Sequence, residues 1–220
     1  MSARLRTAFT LSAALLLAAC GGSMRLDAPT FPEPLVEPVD MHVGLRLAED
    51  MYDFWHEEEV LGRETWSVDM GDANAMMFQQ LFGHMFTKVT LLEEDDNPAD
   101  LPLDALVETN IDKFEFSVPQ QTGNNAYAIW IRYRLKVYNP AGDMIGNWAL
   151  SAYGKSEAAG IGGGDNALED AALLAMRDAA ALMIMKLDKE TGISQLAKSS
   201  GEDEQQPAVT EASNTAEDAA

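Results

Sequence analysis

Between Tyr127 and Val137 an apolar side chain falls at every second position: Tyr127, Ile129, Ile131, Tyr133, Leu135 and Val137, without a break. Period two is the geometry of an extended strand, whose successive side chains point to opposite faces. This segment therefore demands a sheet with one buried face and one open face. Asn139-Pro140-Ala141-Gly142-Asp143 follows with the composition of a hairpin loop. Ile145 to Lys155 returns as the partner strand, carrying Trp148, Leu150 and Ala152. A long antiparallel hairpin is the frame on which the remaining elements must be placed.

Upstream, Val39, Met41, Val43, Leu45 and Leu47 also alternate and predict a strand. Tyr52 to Leu61 fits either a short helical turn or an extended excursion. Arg63 to Met70 reads as extended, with Trp66, Val68 and Met70 on one side. Gly71-Asp72 ends it and offers an N-cap, because an Asp carboxylate accepts from free helix N–H groups. Met77, Phe78, Leu81, Phe82, Met85 and Phe86 then recur at helical spacing and form one broad face of an amphipathic helix. Lys88 to Leu92 reads as a strand, Glu93 to Asp104 as an acidic loop, and Ile111 to Val118 as a strand with Phe114, Phe116 and Val118 on one face. Gln120 to Asn125 is turn-rich, and Gly160 to Gly164 is a flexible joint by composition. A long helix is expected over Asn166 to Lys189, with Leu168, Ala172, Ala175, Met176, Ala179, Met183 and Leu187 inward and Gly192 as terminator. This order predicts an α+β fold: a two-layer sandwich of a mostly antiparallel sheet, with the long hairpin and two helices packed on one face.

The N-terminus carries a different kind of information. Met1-Ser2-Ala3-Arg4-Leu5-Arg6 is basic, Thr7 to Ala19 is mostly apolar, and Leu16-Leu17-Ala18-Ala19-Cys20 ends on the only cysteine of the chain. An apolar run this short does not span a hydrocarbon layer of roughly 30 Å as a helix. The pattern resembles a bacterial lipoprotein signal peptide, and Leu-Ala-Ala-Cys is similar to its lipobox. The resemblance implies cleavage between Ala19 and Cys20, a diacylglyceryl group on the Cys20 sulfur, and acylation of the new amino terminus. These covalent acyl groups are the only cofactors expected, and two or three chains give stable anchoring where one does not. The expected organisation is a signal peptide over 1–19, a lipidated cysteine and proline-rich tether over 20–40, one α+β domain over 41–193, and a disordered acidic tail over 194–220. Pro29, Pro32, Pro34 and Pro38 favour an extended tether. The tail has six acidic residues from Ser199 on and no basic one.

The formal charge is −21, from 15 Lys+Arg against 36 Asp+Glu. Loss of Arg4 and Arg6 with the signal leaves 13 against 36, or −23. Such a balance argues against nucleic acid and against docking on anionic lipid through a basic patch. With no cysteine beyond Cys20, the fold depends on an ordinary hydrophobic core rather than on internal disulfides.

Few residues suggest chemistry. His56-Glu57-Glu58-Glu59 lacks the spaced second histidine of a zinc helix, and neighbours on a regular element point in different directions. Glu93-Glu94-Asp95-Asp96, with Asp100 and Asp104, does not match the spacing of a calcium loop. Gly160 to Asp165 has no following Gly-Lys-Ser/Thr, and Asp165 and Glu169 at the start of the expected helix repel phosphate, so no nucleotide is expected. His42 and His84 lie far apart. No Gly-x-Ser-x-Gly elbow occurs, and an alkylated Cys20 is no nucleophile. Neither catalytic residues nor a metal site is therefore expected. The open face of the Tyr127–Val137 strand is more informative, because it gathers Trp130, Arg132, Arg134, Lys136 and Tyr138. Arg and aromatic residues are enriched at interaction hot spots. The competing reading is an ordinary solvated face paired across strands to Asp112 and Glu115.

The anchored cysteine, the proline-rich segment, Val43-Gly44-Leu45-Arg46-Leu47, Phe78, Phe82 and Phe86 at every fourth residue, the long hairpin and the closing alanine-rich helix together resemble small auxiliary lipoproteins of Gram-negative envelopes. The YajG-like lipoproteins and the ABC-transport auxiliary lipoproteins are the groups it looks like, and the lipopolysaccharide-assembly lipoprotein LptE has a similar element order. The resemblance implies a periplasmic domain attached to the outer membrane, acting through contacts with another envelope protein rather than by catalysis. Gly21 stands where an inner-membrane retention signal would place Asp. Two alternatives stand beside this: a carrier of lipid or another apolar ligand, with the Met- and Phe-rich helix lining a cavity, or a regulator of peptidoglycan synthesis.

Overall fold

The computed structural model describes residues 21–26, 29, 31–158 and 163–193, the side chains of 188, 190 and 191 aside. The expected signal peptide, Cys20, the acidic tail and most of the Gly160–Gly164 joint lie outside the described residues. The elements are β1 (Gly22–Arg25), β2 (Val39–Leu47), β3 (Phe54–Val60), β4 (Glu64–Gly71), α1 (Ala73–Met85), β5 (Phe86–Leu92), β6 (Ala105–Ser117), the single turn α2 (Pro119–Thr122), β7 (Ala126–Tyr138), β8 (Met144–Glu157) and α3 (Gly164–Thr191). Five strands form one sheet in the order β5-β2-β6-β7-β8, and three form a second in the order β1-β4-β3.

The expected α+β sandwich stands, with the long hairpin β7–β8 forming one side of the large sheet. β6, β7 and β8 run antiparallel, whereas β2 is parallel to both β5 and β6. Tyr127, Ile129, Ile131, Tyr133, Leu135 and Val137 are all buried, as the alternation requires. Against this face lie Met77, Phe78, Leu81 and Phe82 of α1 and the Leu168–Leu187 stripe of α3, in one continuous core. The Phe78 ring meets Tyr133 edge-on at 5.2 Å and continues to Phe82 and Phe86. Small residues bring α3 close: a Cβ at Gly154 of β8 would collide with the helix backbone at Ala171 and Ala175. Gly192 ends the described helix region with φ +63, the left-handed geometry glycine tolerates.

Several elements differ from the sequence expectation. Asp72 occupies the N-cap position of α1 but its carboxylate makes no capping hydrogen bond. The Asp69 carboxylate instead accepts from the Gly71 N–H at 2.9 Å and closes the turn. The ambiguous stretch after Tyr52 is a strand, β3, hydrogen-bonded antiparallel to β4. β6 begins at Ala105 rather than at Ile111, because its first residues pair in parallel with Val43–Leu47. The 20–40 tether also needs correction. Gly22–Arg25 is a strand paired in parallel with Trp66–Asp69, and Met24, Leu26 and Phe31 are buried. Met24 and Leu26 flank exposed Arg25 with period two, and it is this alternation that brings the segment onto the core.

The small sheet packs on the same inner side as the helices. Phe54 and His56 of β3 meet Phe114 and Phe116 of β6, and Trp66 of β4 meets Tyr127. The outer face of the large sheet keeps its helix-free middle.

Candidate functional site

The outer face of β7 carries Trp130, Arg132, Arg134, Lys136 and Tyr138 in line, as the alternation places them. Trp130 stands directly across from Tyr153 of β8, with ring centroids 4.9 Å apart. Both rings are about two-fifths exposed, at 41% and 42%. Next along the strand, the Arg132 Nε lies 2.8 Å and the Arg134 Nη2 3.1 Å from the same oxygen of Asp112. The register break between Ile111 and Lys113 of β6 sets Asp112 between the two arginines. Arg134 also donates to the Asn147 side chain at 3.2 Å. The Arg134 hydrogen bond, with the charges of Arg134 and Arg132, holds the Asp112 carboxyl below the ordinary carboxylate range. Cross-strand pairing thus reaches Asp112 but not Glu115, which pairs with Lys113 at 2.6 Å.

Further along, Lys136 is in register with Glu108, and the Tyr138 hydroxyl donates to Glu108 at 3.2 Å. Burial and the Glu108 charge push the Tyr138 phenol above its usual value. Glu108 also receives Arg46 of β2 at 3.0 Å. Arg46 then reaches over the acidic loop, donating to the carbonyls of Asp96 at 2.6 Å and Glu93 at 3.3 Å. The loop is therefore held down by its own backbone oxygens. Beside it opens a hollow of about 790 Å³ of mixed lining, with Arg46, Leu47, Tyr52, Leu92, Glu108 and Lys136 around it. Arg46 and Tyr153 carry no role in the sequence reading. Arg46 stands as the single cation of an alternating strand, and Tyr153 sits at an outward position of β8; those are the signals that mark them.

The other sequence candidates are not brought together. His56 lies 3.5 Å from Glu58, its ring against Phe114 and Phe116. His42 meets the Thr90 hydroxyl at 2.7 Å at the β5 edge of the same outer face, three strands from β7. Among the described residues no group of three or more His, Cys, Asp or Glu is placed to hold a metal ion. Among them, too, no helix is long and apolar enough to cross a membrane. Met77, Phe78 and Phe82 of α1 are fully used in the core. An apolar hollow near its end, between Val39, Met85, Phe86 and Leu187, measures only about 110 Å³. Ala19 and Cys20 lie outside the described residues.

No protein-family model matches the chain, and no curated protein matches it. Among solved structures, protein XCC0632 from Xanthomonas campestris, described as DUF330, is similar at 10% identity and a TM-score of 0.49, over 84% of this chain and 99% of that one. The hypothetical protein CT253 from Chlamydia trachomatis is similar at 10% identity and a TM-score of 0.40, over 69% and 98%. Lipoprotein GNA1162 from Neisseria meningitidis is similar at 10% identity and a TM-score of 0.34, over 66% and 97%. These likenesses are too distant to assign this chain a role.

Proposed function

We propose that this chain is an outer-membrane lipoprotein, acylated on Cys20 after cleavage behind Ala19. Its periplasmic domain acts as a non-enzymatic binding or auxiliary subunit of an envelope transport or assembly system. The docking face is the open side of the large sheet: Trp130, Arg132, Arg134, Lys136 and Tyr138 of β7, joined by Tyr153.

The observation that carries this reading is the exposed Trp130–Tyr153 pair set beside two guanidinium groups that share one carboxylate. Two cations against one anion leave a local positive excess in a chain of charge −21. An amphipathic aromatic pair next to arginine has the composition of an interaction hot spot, and a partner with an acidic rim suits it. Acylation supplies the membrane attachment, and the lipobox residues support it. The carrier reading has no such support, since the Met and Phe side chains that motivate it pack into the core.

The test is in-cell crosslinking of the full-length acylated protein, with and without the double substitution Arg132→Glu and Arg134→Glu. The expected result is one envelope protein captured by the parent and lost from a variant that melts like the parent. Equal capture by both overturns this docking face. Loss of folding in the variant would make the Asp112 pairing structural instead.

A further inference from the structure

We propose that the domain sits directly on the bilayer, with the β3–β4 hairpin tip Leu61-Gly62-Arg63 inserted at the lipid surface beside the anchor; this rests on acylation of Cys20. The register places the tip. β1 runs parallel to β4 with Gly22 opposite Trp66, so the chain before Gly22 points toward the start of β4. There β4 turns back into β3, with Val60 opposite Glu64 and the Arg63 N–H bonded to the Val60 carbonyl. Gly21 is pressed so closely against Thr65 that a Cβ would strike the Thr65 carbonyl, and a Cβ on Gly22 would strike the Trp66 ring. Consecutive Cα atoms are about 3.8 Å apart. Gly21, the residue that follows the expected acylation site, is therefore already held against the start of β4, next to the tip.

The tip is built for an apolar contact. Leu61 is 65% exposed and is the only non-glycine residue with positive φ, +54, among those described. A leucine held in left-handed geometry at a solvent-facing turn is strained, and a glycine or asparagine would be easier to place there. Such strain persists where the displayed side chain serves a contact. The neighbouring segments of this pole agree in charge. Residues 61–63 and 118–125 contain no Asp or Glu and one cation, Arg63, whereas Glu93–Asp104 alone holds Glu93, Glu94, Asp95, Asp96, Asp100 and Asp104. That the two segments share a pole follows from Trp66 against Tyr127. Glu59 of β3 lies against the tip, its Oε1 3.5 Å from where a Cβ on Gly62 would stand, and Glu64 opens β4 behind it.

The experiment uses the full-length acylated protein in vesicles of phosphatidylethanolamine and phosphatidylglycerol, with no other protein present. Cys20 is the sole native cysteine and its sulfur is consumed by the lipid, so an introduced thiol is unique. An environment-sensitive fluorophore is placed at Leu61→Cys, at Arg63→Cys as a second reading of the tip, and at Ala141→Cys in the β7–β8 loop. The expected result is blue-shifted emission at the two tip positions, quenched by headgroup-level spin-labelled lipid, with neither effect at position 141. Tip labels as wet and unquenched as position 141, on protein whose intact mass proves acylation, overturn the seating alone. An intact mass without acyl groups overturns the anchor and the seating together.

Discussion

The Tyr133 hydroxyl donates to the Asn74 side-chain oxygen at 2.7 Å, joining the middle of β7 to the first turn of α1. Both residues are fully buried. Tyr133→Phe should leave the ring contact with Phe78 in place and strand the Asn74 carbonyl oxygen. The cost of such an unsatisfied buried acceptor is about 1–3 kcal/mol. In a domain of this size that lowers Tm by about 2–4 °C per kcal/mol. Thermal melts of the single variant, and of Tyr133→Phe with Asn74→Leu, check it; the pair should be less destabilised than the sum of the singles.

The same phenol gives an alkaline signature. Burial raises its folded-state pKa above the ordinary 10.0. Below that value both folded and unfolded chains hold the proton, and the contribution to stability is complete. Above it the unfolded chain releases the proton first, so stability falls as pH rises, by up to about 1.4 kcal/mol per pH unit from this one group. Urea midpoints measured at about pH 9 and about pH 11 should fall more for the parent than for Tyr133→Phe.

Gly154→Ala tests how α3 lies on the sheet. The added methyl meets the helix backbone at Ala171 and Ala175, which cannot move away as a flexible side chain could. Overpacking of this kind costs about 1–3 kcal/mol and occasionally more. The expected outcome is a lowered urea midpoint with an unchanged m-value. A variant as stable as the parent would mean that the helix does not rest on β8.

On the open face, the Asp112 carboxyl should titrate below its ordinary 3.8. Because its largest cause is the Arg134 hydrogen bond, Arg134→Gln should return the titration further toward 3.8 than Arg132→Gln does. A pH series of side-chain carboxyl NMR shifts reads this directly. The sign for stability follows: a depressed carboxyl stabilises the fold above its unfolded pKa, and that contribution is lost as pH falls through the folded one.

What was legible in the sequence was what periodicity governs. Tyr127 to Val137 declared β7 and both of its faces, and the spacing of Met77 to Met85 declared α1. What was not legible was pairing that the local pattern does not encode. In β3, Glu57-Glu58-Glu59 masks the alternation, and the strand exists because β4 supplies its hydrogen bonds. β1 is four residues whose parallel partner lies more than forty positions away. The site divides in the same manner. Arg132 and Arg134 could be set on one face from alternation alone, but Asp112 shares the parity of Phe114 and Phe116 and reaches that face only through the register break in β6. Arg46 could not be joined to Glu108, 62 positions later, until the parallel ladder of β2 and β6 placed them side by side.

α3 runs 28 residues, about 42 Å, from Asp165 beside Gly22 to the neighbourhood of Val39. The two ends of the described chain therefore leave from opposite poles. β1 enters along its own axis, hydrogen-bonded in parallel to β4. A pull on Gly21 away from the body of the domain loads that ladder in shear. All of its hydrogen bonds must then yield together, whereas a strand drawn sideways would release them one by one. The first strand is a mechanical clamp at the point where the described chain enters the fold.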